Sequence, residues 1–279
     1  MFHKKIKIKT VSKKTLGDLQ TPMNIYLQVR DHFRDTVLLE SSDSRNAEHN
    51  FSYIGINAIA GIEIRSLKEY EVKLPLEEPV KQSLEGHSVT DIFSNFCQIF
   101  ECEKAKDAVE ETAQSVFGYT SFDAVQLFEK ITFKAQSPEV EIPLLRYRLY
   151  QYVIAINHYN DEMHFIENRI EGVHSELYLL ESLIKNRNPV IYPFGKAGSE
   201  TSNLTDEEYI ALVKTAQKHC MRGDVFQLVL SRRFQQKFTG DEIQCIPRFA
   251  EYQPFPLPLF LRLWQLQAVW FQSGKPANY

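Results

Sequence analysis

The order of apolar and polar positions along the chain predicts a mixture of helices and strands. Residues 22–35 place Ile25, Val29 and Phe33 at helical spacing, and Pro22 suits the first turn of such a helix. Residues 36–41 read as a short buried strand. Residues 51–65 read as two strand-forming runs parted near Asn57 and Ala58, with Gly55 and Gly61 as bulge or turn points. A second helix is predicted over residues 89–101 from Ile92, Phe96, Ile99 and Phe100. The acidic stretch 101–111 reads as an exposed linker. In residues 5–10 lysine alternates with isoleucine, the pattern of a half-exposed edge strand with a charged face.

Farther along, residues 144–157 and 162–168 flank Asn157-His158-Tyr159-Asn160-Asp161 and predict a β-hairpin. Residues 171–186 follow as a helix with Leu177, Leu180 and Ile184 on one face. Residues 189–203 are rich in Pro, Gly and Ser and hold no sustained period, which places a domain boundary there. Thr205 and Glu208 form a capping-box pattern ahead of Ile210, Val213 and Ala216, with Gly223 as the helix stop. Residues 225–238 alternate as one long strand. The fold class expected from this order is α+β.

Composition narrows the field. With 279 residues, 43% of them apolar, the chain can bury one large core or two modest ones. A net charge of −4 argues against a general nucleic-acid binder, despite Lys4, Lys5, Lys7, Lys9, Lys13 and Lys14 near the start. No apolar run approaches the roughly 18 residues of a membrane span, and residues 1–16 lack the apolar centre of a secretory signal. The cytoplasm is the expected compartment. Cys97, Cys102, Cys220 and Cys245 lack zinc-type spacing, and no two of the eight histidines stand four apart, so no metal site is expected from this chain.

Three groups of residues invite chemistry. Glu40 and Ser41 end an apolar strand; a carboxylate beside a hydroxyl suits an ammonium group with a polar partner, or caps the strand end. Asp123 and Glu129 read as an acid–base or metal pair, or as ordinary helix charges. Gln227, Ser231, Arg232 and Arg233 lie on the predicted 225–238 strand, where a cation could meet a dicarboxylate or simply charge an edge. Neighbours on a strand face opposite sides, so at most one of the two arginines reaches any one pocket.

After Glu242 the composition changes abruptly. Residues 243–279 hold both tryptophans, Trp264 and Trp270, and five of the twelve prolines. Pro254, Pro256 and Pro258 remove alternate backbone donors, a spacing that suits neither a helix interior nor a central strand. A proline-rich tail is one reading. Back-translation offers another: residues 251–256 can be encoded GAG TAT CAA CCC TTC CC, which one nucleotide later reads Ser-Ile-Asn-Pro-Ser before a further Pro. Trp264 and Trp270 both become glycine in that frame whatever their neighbours' codons, and residues 270–276 can become Gly-Ser-Ser-Pro-Glu-Ser-Gln.

Both frames point the same way. Leu38-Leu39-Glu40-Ser41, Phe51-Ser52-Tyr53-Ile54-Gly55, Phe117-Gly118-Tyr119 with Phe122-Asp123 and Glu129, and residues 223–231 (Gly-Asp-Val-Phe-Gln-Leu-Val-Leu-Ser) resemble the large subunit, component I, of anthranilate synthase. The shifted frame then supplies that family's Asn-Pro-Ser-Pro-Tyr and Gly-Ser-Ser-Pro-Glu motifs in order. The resemblance implies an N-terminal component I domain over residues 1–195, the first elements of an incomplete chorismate-binding α/β sandwich over 196–242, and an out-of-frame tail over 243–279.

The family aminates chorismate with ammonia derived from glutamine and eliminates pyruvate to give anthranilate, the first committed step of tryptophan biosynthesis. The resemblance implies a glutamine amidotransferase subunit as partner, chorismate and L-tryptophan as small-molecule ligands, and Mg²⁺ as cofactor. It also implies feedback inhibition by L-tryptophan held through Leu39, Glu40, Ser41 and Ser52. The family's catalytic groups and Mg²⁺ ligands lie beyond Gly-Ser-Ser-Pro-Glu, so no catalytic residue and no metal ligand is expected in this chain. Gln253-Pro254-Phe255-Pro256-Leu257 stands where the family completes its inhibitor pocket, so tryptophan binding is expected to be weak or absent. The alternatives are component I of aminodeoxychorismate synthase and a non-catalytic fragment that senses a ligand or docks a partner.

Overall fold

The computed structural model describes residues 5–18, 20–40, 50–133, 142–186, 192–241, 243, 257–263 and 266–272, the last two stretches by backbone alone. They divide into two compact units, Met1–Val190 with Tyr252–Tyr279, and Ile191–Glu251. The first unit runs β1 (Ile6–Leu16), α1 (Pro22–Val29), β2 (Val37–Leu39), β3 (Phe51–Ile64), β4 (Glu69–Lys73), β5 (Val80–Ser83) and α2 (Val89–Gln98). It continues with β6 (Phe100–Cys102), α3 (Ala108–Ala113), β7 (Phe117–Thr120), β8 (Leu145–Asn157), β9 (Glu162–Arg169) and α4 (Leu177–Lys185). The second unit holds β10 (Gly195–Ser202), α5 (Asp206–Met221) and β11 (Phe234–Thr239). Strands β12 (Leu257–Leu263) and β13 (Leu266–Gln272) return to the first.

Helices beside a largely antiparallel sheet give the expected α+β class. The sheet of the first unit follows the order β13-β12-β2-β3-β8-β9-β1-β6, with β4 and β5 continuing from β3 and β7 set on β8. Its spine is the pairing of β3 with β8 from Phe51↔Asn157 to Ile64↔Leu145. One core cluster gathers Ile8, Ile62, Ile64, Phe96 and Leu149, and a second gathers Val37, Tyr150, Val153, Ala155 and Ile166. Burial of such side chains is the main favourable term holding these layers.

Several expectations need correction. Residues 51–64 form one strand, not two runs. Asn57 takes a positive φ of 60° and the β8 register slips between Ala58 and Ala60, so a bulge absorbs the extra residue without ending the strand. Gly55 is no turn point: a Cβ there would meet the Tyr150 ring and Val37 at 2.7 Å, so tight packing demands the glycine. Helix α2 stops at Gln98, because Phe100–Cys102 pairs in parallel with Ile6, Lys7 and Ile8. That pairing, with β9 on residues 9–16, also makes β1 longer than expected and no simple edge strand, although Lys7, Lys9, Lys13 and Lys14 stay exposed. Helix α1 ends at Val29, and Asp35, at φ 51°, lies in the turn leading to β2.

The acidic 101–111 stretch is not simply a linker. Asp107 caps α3 by accepting from the backbone N–H groups of Val109 and Glu110. Glu110 is 2% exposed and accepts from Ser12, from the Lys106 backbone N–H at 2.8 Å and from Lys106 Nζ at 3.1 Å. Burial raises its pKa, but the hydrogen bonds from Ser12 and Lys106 and the lysine charge outweigh it and leave the carboxyl below its usual value. The depressed folded pKa means this contribution is present above the unfolded value and is lost as pH falls through the folded one. Glu110→Ala strands the Ser12 hydroxyl and the Lys106 N–H, and is expected to cost about 1–3 kcal/mol in urea unfolding at neutral pH, with the deficit shrinking in acid.

In the second unit the capping box forms as expected: Thr205 Oγ1 accepts from Glu208 N–H at 3.2 Å and Glu208 Oε2 accepts from Thr205 N–H at 2.8 Å. Gly223 stops the helix at φ 76°. The long 225–238 strand does not form; only Phe234–Thr239 pairs, with β10, a strand built from the aperiodic 189–203 stretch. An alternating pattern becomes a strand only where a neighbour takes its backbone hydrogen bonds. Here Leu228 and Leu230 instead line a groove with Val213 and Ala216 of α5. The tail needs the opposite correction, since β12 lies between β13 and β2. Pro258 is its second residue, and pairing with β2 begins at Leu259, so the missing N–H falls outside that ladder.

Candidate functional site

Strands β2, β3 and β8 bring the expected ligand residues to one end of the sheet. Leu39, half-buried, pairs with Tyr53 in β3 and with Leu259 in β12. Continuing that antiparallel register by one residue sets Glu40 opposite Ser52, which itself pairs with Ile156 in β8. Ser41 lies outside the described residues. The position of Glu40 and Ser52 thus follows from pairing across β2 and β3, which strand periodicity alone does not reveal.

Each group there has a distinct electrostatic state. Burial raises the Glu40 carboxyl above its ordinary value. Ser52 is fully buried and its Oγ lies 2.7 Å from His158 Nε2. His158 comes from the turn between β8 and β9, and its backbone N–H donates to the Asn50 carbonyl at 2.9 Å. Partial burial lowers the His158 pKa, while Asp161 acts in the opposite direction. Asn50 Oδ1 is buried and has no hydrogen-bond partner among the described residues. Buried polar atoms are nearly always partnered, so an orphaned acceptor asks for a donor.

Glu40, Asn50 and Ser52 therefore offer a carboxylate, an amide oxygen and a hydroxyl at one sheet end. A group with several N–H donors and a positive charge, such as a primary ammonium, complements that set. The sequence reading did not single out Asn50 or His158. His158 looked like hairpin punctuation; its one legible signal was its place in the loop closing β8, the partner strand of β3.

The other candidates disperse. Phe122–Leu127 is a short 3₁₀ helix carrying Asp123, and Glu129 follows it with its backbone N–H bonded to the Val125 carbonyl. Arg232 is engaged within its own unit, donating to Asp206 Oδ1 at 2.5 Å and Ser202 Oγ at 2.8 Å, with its guanidinium 4.7 Å from the Phe234 ring centre. Gln227, Ser231 and Arg233 are exposed. Among the described residues no three His, Cys, Asp or Glu side chains gather to hold a metal ion, so the Mg²⁺ implied by resemblance finds no fitting ligand set there. No helix among them is long and apolar enough to cross a membrane.

Known proteins resemble this chain in sequence and in fold. Anthranilate synthase component 1 of Lactococcus lactis subsp. lactis (strain IL1403) is 25% identical over 251 residues, covering 84% of this chain and 50% of that protein. The component 1 of Aquifex aeolicus (strain VF5) is 23% identical over 289 residues, covering 91% of this chain and 53% of that protein. The chain thus spans about half the length of these relatives. The crystal structure of anthranilate synthase component I from Streptococcus pneumoniae TIGR4 matches with a TM-score of 0.54 at 17% identity, over 89% of this chain and 54% of that one, a likeness of fold. The family model for chorismate binding enzymes matches residues 38–269, from β2 beyond Glu40 and Ser52 and on through β12 into β13. By that match over most of its length, the chain belongs to the chorismate-binding enzyme family.

Proposed function

We propose that this chain is the effector-binding part of an anthranilate synthase component I, and that its own residues run no step on chorismate. The observation that carries this reading is the set of Glu40, Asn50 and Ser52 at one sheet end, where burial raises the Glu40 carboxyl and Asn50 Oδ1 has no hydrogen-bond partner among the described residues. The ammonium of L-tryptophan has the charge and donors that suit a carboxyl and an amide oxygen, and Ser41 is assigned to the same site by its place in the Leu38-Leu39-Glu40-Ser41 motif. The segment Gln253-Pro254-Phe255-Pro256 leads directly into β12, whose Leu259 pairs with Leu39. In the family reading it should close the ligand's other side, and these residues do not reproduce the Asn-Pro-Ser-Pro-Tyr chemistry.

Two measurements test the proposal. Calorimetry with L-tryptophan is expected to give weak binding, about millimolar; micromolar affinity would mean the tail completes the pocket after all. Purified chain supplied with chorismate, ammonium and Mg²⁺ is expected to form no anthranilate, and measurable fluorescent product would overturn the assignment. The glutamine amidotransferase subunit remains the proposed partner, to be checked by co-purification.

A further inference from the structure

We propose that helix α5 pairs antiparallel with α5 of a second copy of this chain, each helix seated in the groove of the other. The inference stands apart from the effector reading and rests on the second unit alone. Helix α5 spans sixteen residues, the longest of the described helices, and buries none of them. Helices α1, α2 and α4 each bury at least two side chains. A helix in water gains most of its stability by packing an apolar face, which the capping box of Thr205 and Glu208 does not supply. Such a face is present: Tyr209, Val213, Ala216 and Cys220 follow at intervals of four, three and four, the spacing of a helix–helix seam. With Leu228 and Leu230 they line an open groove of about 700 Å³, and Met221 beside them is 79% exposed. Contiguous exposed apolar surface of this kind marks a docking face.

Charge selects the occupant. Helix α5 opens with Asp206, Glu207 and Glu208 and carries Lys218 and His219 in its last turn. Asp206 is paired with Arg232 and His219 with Asp224, whereas Glu207 and Lys218 enter no ion pair among the described residues. A parallel pair of these helices would set acid against acid and base against base. An antiparallel pair sets the acidic end of each copy beside the basic end of the other and opposes the two helix dipoles. A two-fold axis then passes between Val213 and Ala216, so Val213 meets Ala216 of the second copy and Tyr209 meets its Cys220. Valine facing alanine lets the helices approach closely at the centre, and the tyrosine rings fill the space toward each end.

The test is sedimentation equilibrium of the full chain from about 1 to 200 µM, where a monomer–dimer equilibrium with a dissociation constant on the order of 10 µM is expected. Val213→Glu puts a charge at the centre of the seam and should weaken the dimer about tenfold or more, with circular dichroism checking that the variant folds. Lys218→Glu should weaken it about threefold, and adding Glu207→Lys should restore it. Orientation is read by crosslinking in a chain carrying Cys97→Ser, Cys102→Ser and Cys245→Ser. In that background Tyr209→Cys should form a disulfide-linked dimer under copper–phenanthroline oxidation, and Cys220→Ser should abolish the link. A chain that stays monomeric across the concentration range overturns the proposal; that is the result expected if the groove serves a different protein or a further segment of a longer one. A dimer that Val213→Glu leaves unchanged also overturns it, as does a Tyr209→Cys crosslink that survives Cys220→Ser. None of these outcomes bears on L-tryptophan binding, so the effector reading stands or falls by its own measurements.

Discussion

Replacing Glu63 with alanine is expected to lower the unfolding free energy by about 3–5 kcal/mol, the cost of removing one partner from a buried charge cluster. Glu63 lies 2% exposed on β3, directly opposite Arg146 of β8. Its Oε2 is 2.5 Å from Arg148 Nη2 and 3.5 Å from Arg146 Nη1, and its Oε1 pairs with Arg65. Arg146 and Arg148 are 11% and 12% exposed, so neither can turn fully to water once the carboxylate is gone. Asp35, 2.8 Å from Arg146, is left as the remaining anion of the cluster. Urea unfolding followed by circular dichroism measures the loss. The double variant Glu63→Leu with Arg148→Leu should recover part of it, since an apolar pair replaces a broken ionic one. In contrast, Glu69→Ala breaks an exposed 3.8 Å pair with Lys81 and is expected to cost less than about 1 kcal/mol. Equal losses for Glu63 and Glu69 would show that the buried cluster has no special weight.

Gly118→Ala is expected to cost about 3 kcal/mol although it adds a single methyl group. Gly118 lies in β7 opposite Tyr147 of β8, and a Cβ would collide with the Arg146 carbonyl and come within 2.7 Å of Tyr147 Cα. Those are backbone atoms of the central strand, and no rotamer change can move them aside. The expected outcome is β7 displaced from β8, seen as lower stability and as lost hydrogen-exchange protection at residues 117–120 with protection of β3 and β9 kept. A variant as stable as the wild type would mean that β7 sits farther from β8 than described. Phe117 and Tyr119 flank this glycine and belong to the second core cluster, so Phe117-Gly118-Tyr119 is one device: two rings packed into the core and no side chain where the backbones meet.

The acceptor cluster and the charge cluster use the same strand pair differently. Near the start of β3 and the end of β8, the structure gathers Ser52, His158 and Asn50; near the other end of β3 it gathers Glu63, Arg146 and Arg148. The first holds one buried acceptor, Asn50 Oδ1, that has no hydrogen-bond partner among the described residues. The second matches buried anion to buried cation and needs no ligand to explain it. Charge content cannot separate the two; the state of partnering does.

Local chemistry was legible in the sequence wherever a short stretch of chain suffices. Thr205 and Glu208 announced a capping box, Pro22 a helix start, Gly223 a helix stop, and the apolar runs on either side of Asn157–Asp161 a hairpin, because each rests on contacts within a few residues. The motifs at Leu38–Ser41, Phe51–Gly55 and Gly223–Ser231 likewise pointed to the family without any coordinates. Only the tertiary structure decided what depends on a distant partner. Residues 225–232 alternate like a strand but pair with no strand among the described residues, while Phe100–Cys102 continued a helical pattern and became a strand because β1 offered an edge. Glu110 sat in an acidic stretch that reads as solvated, and Ser12, 98 residues away, drew it inside. The same holds for the site: sequence named Glu40 and Ser52, but His158, 106 residues from Ser52, joined them through the β3–β8 register, which a backbone reveals only once it is paired.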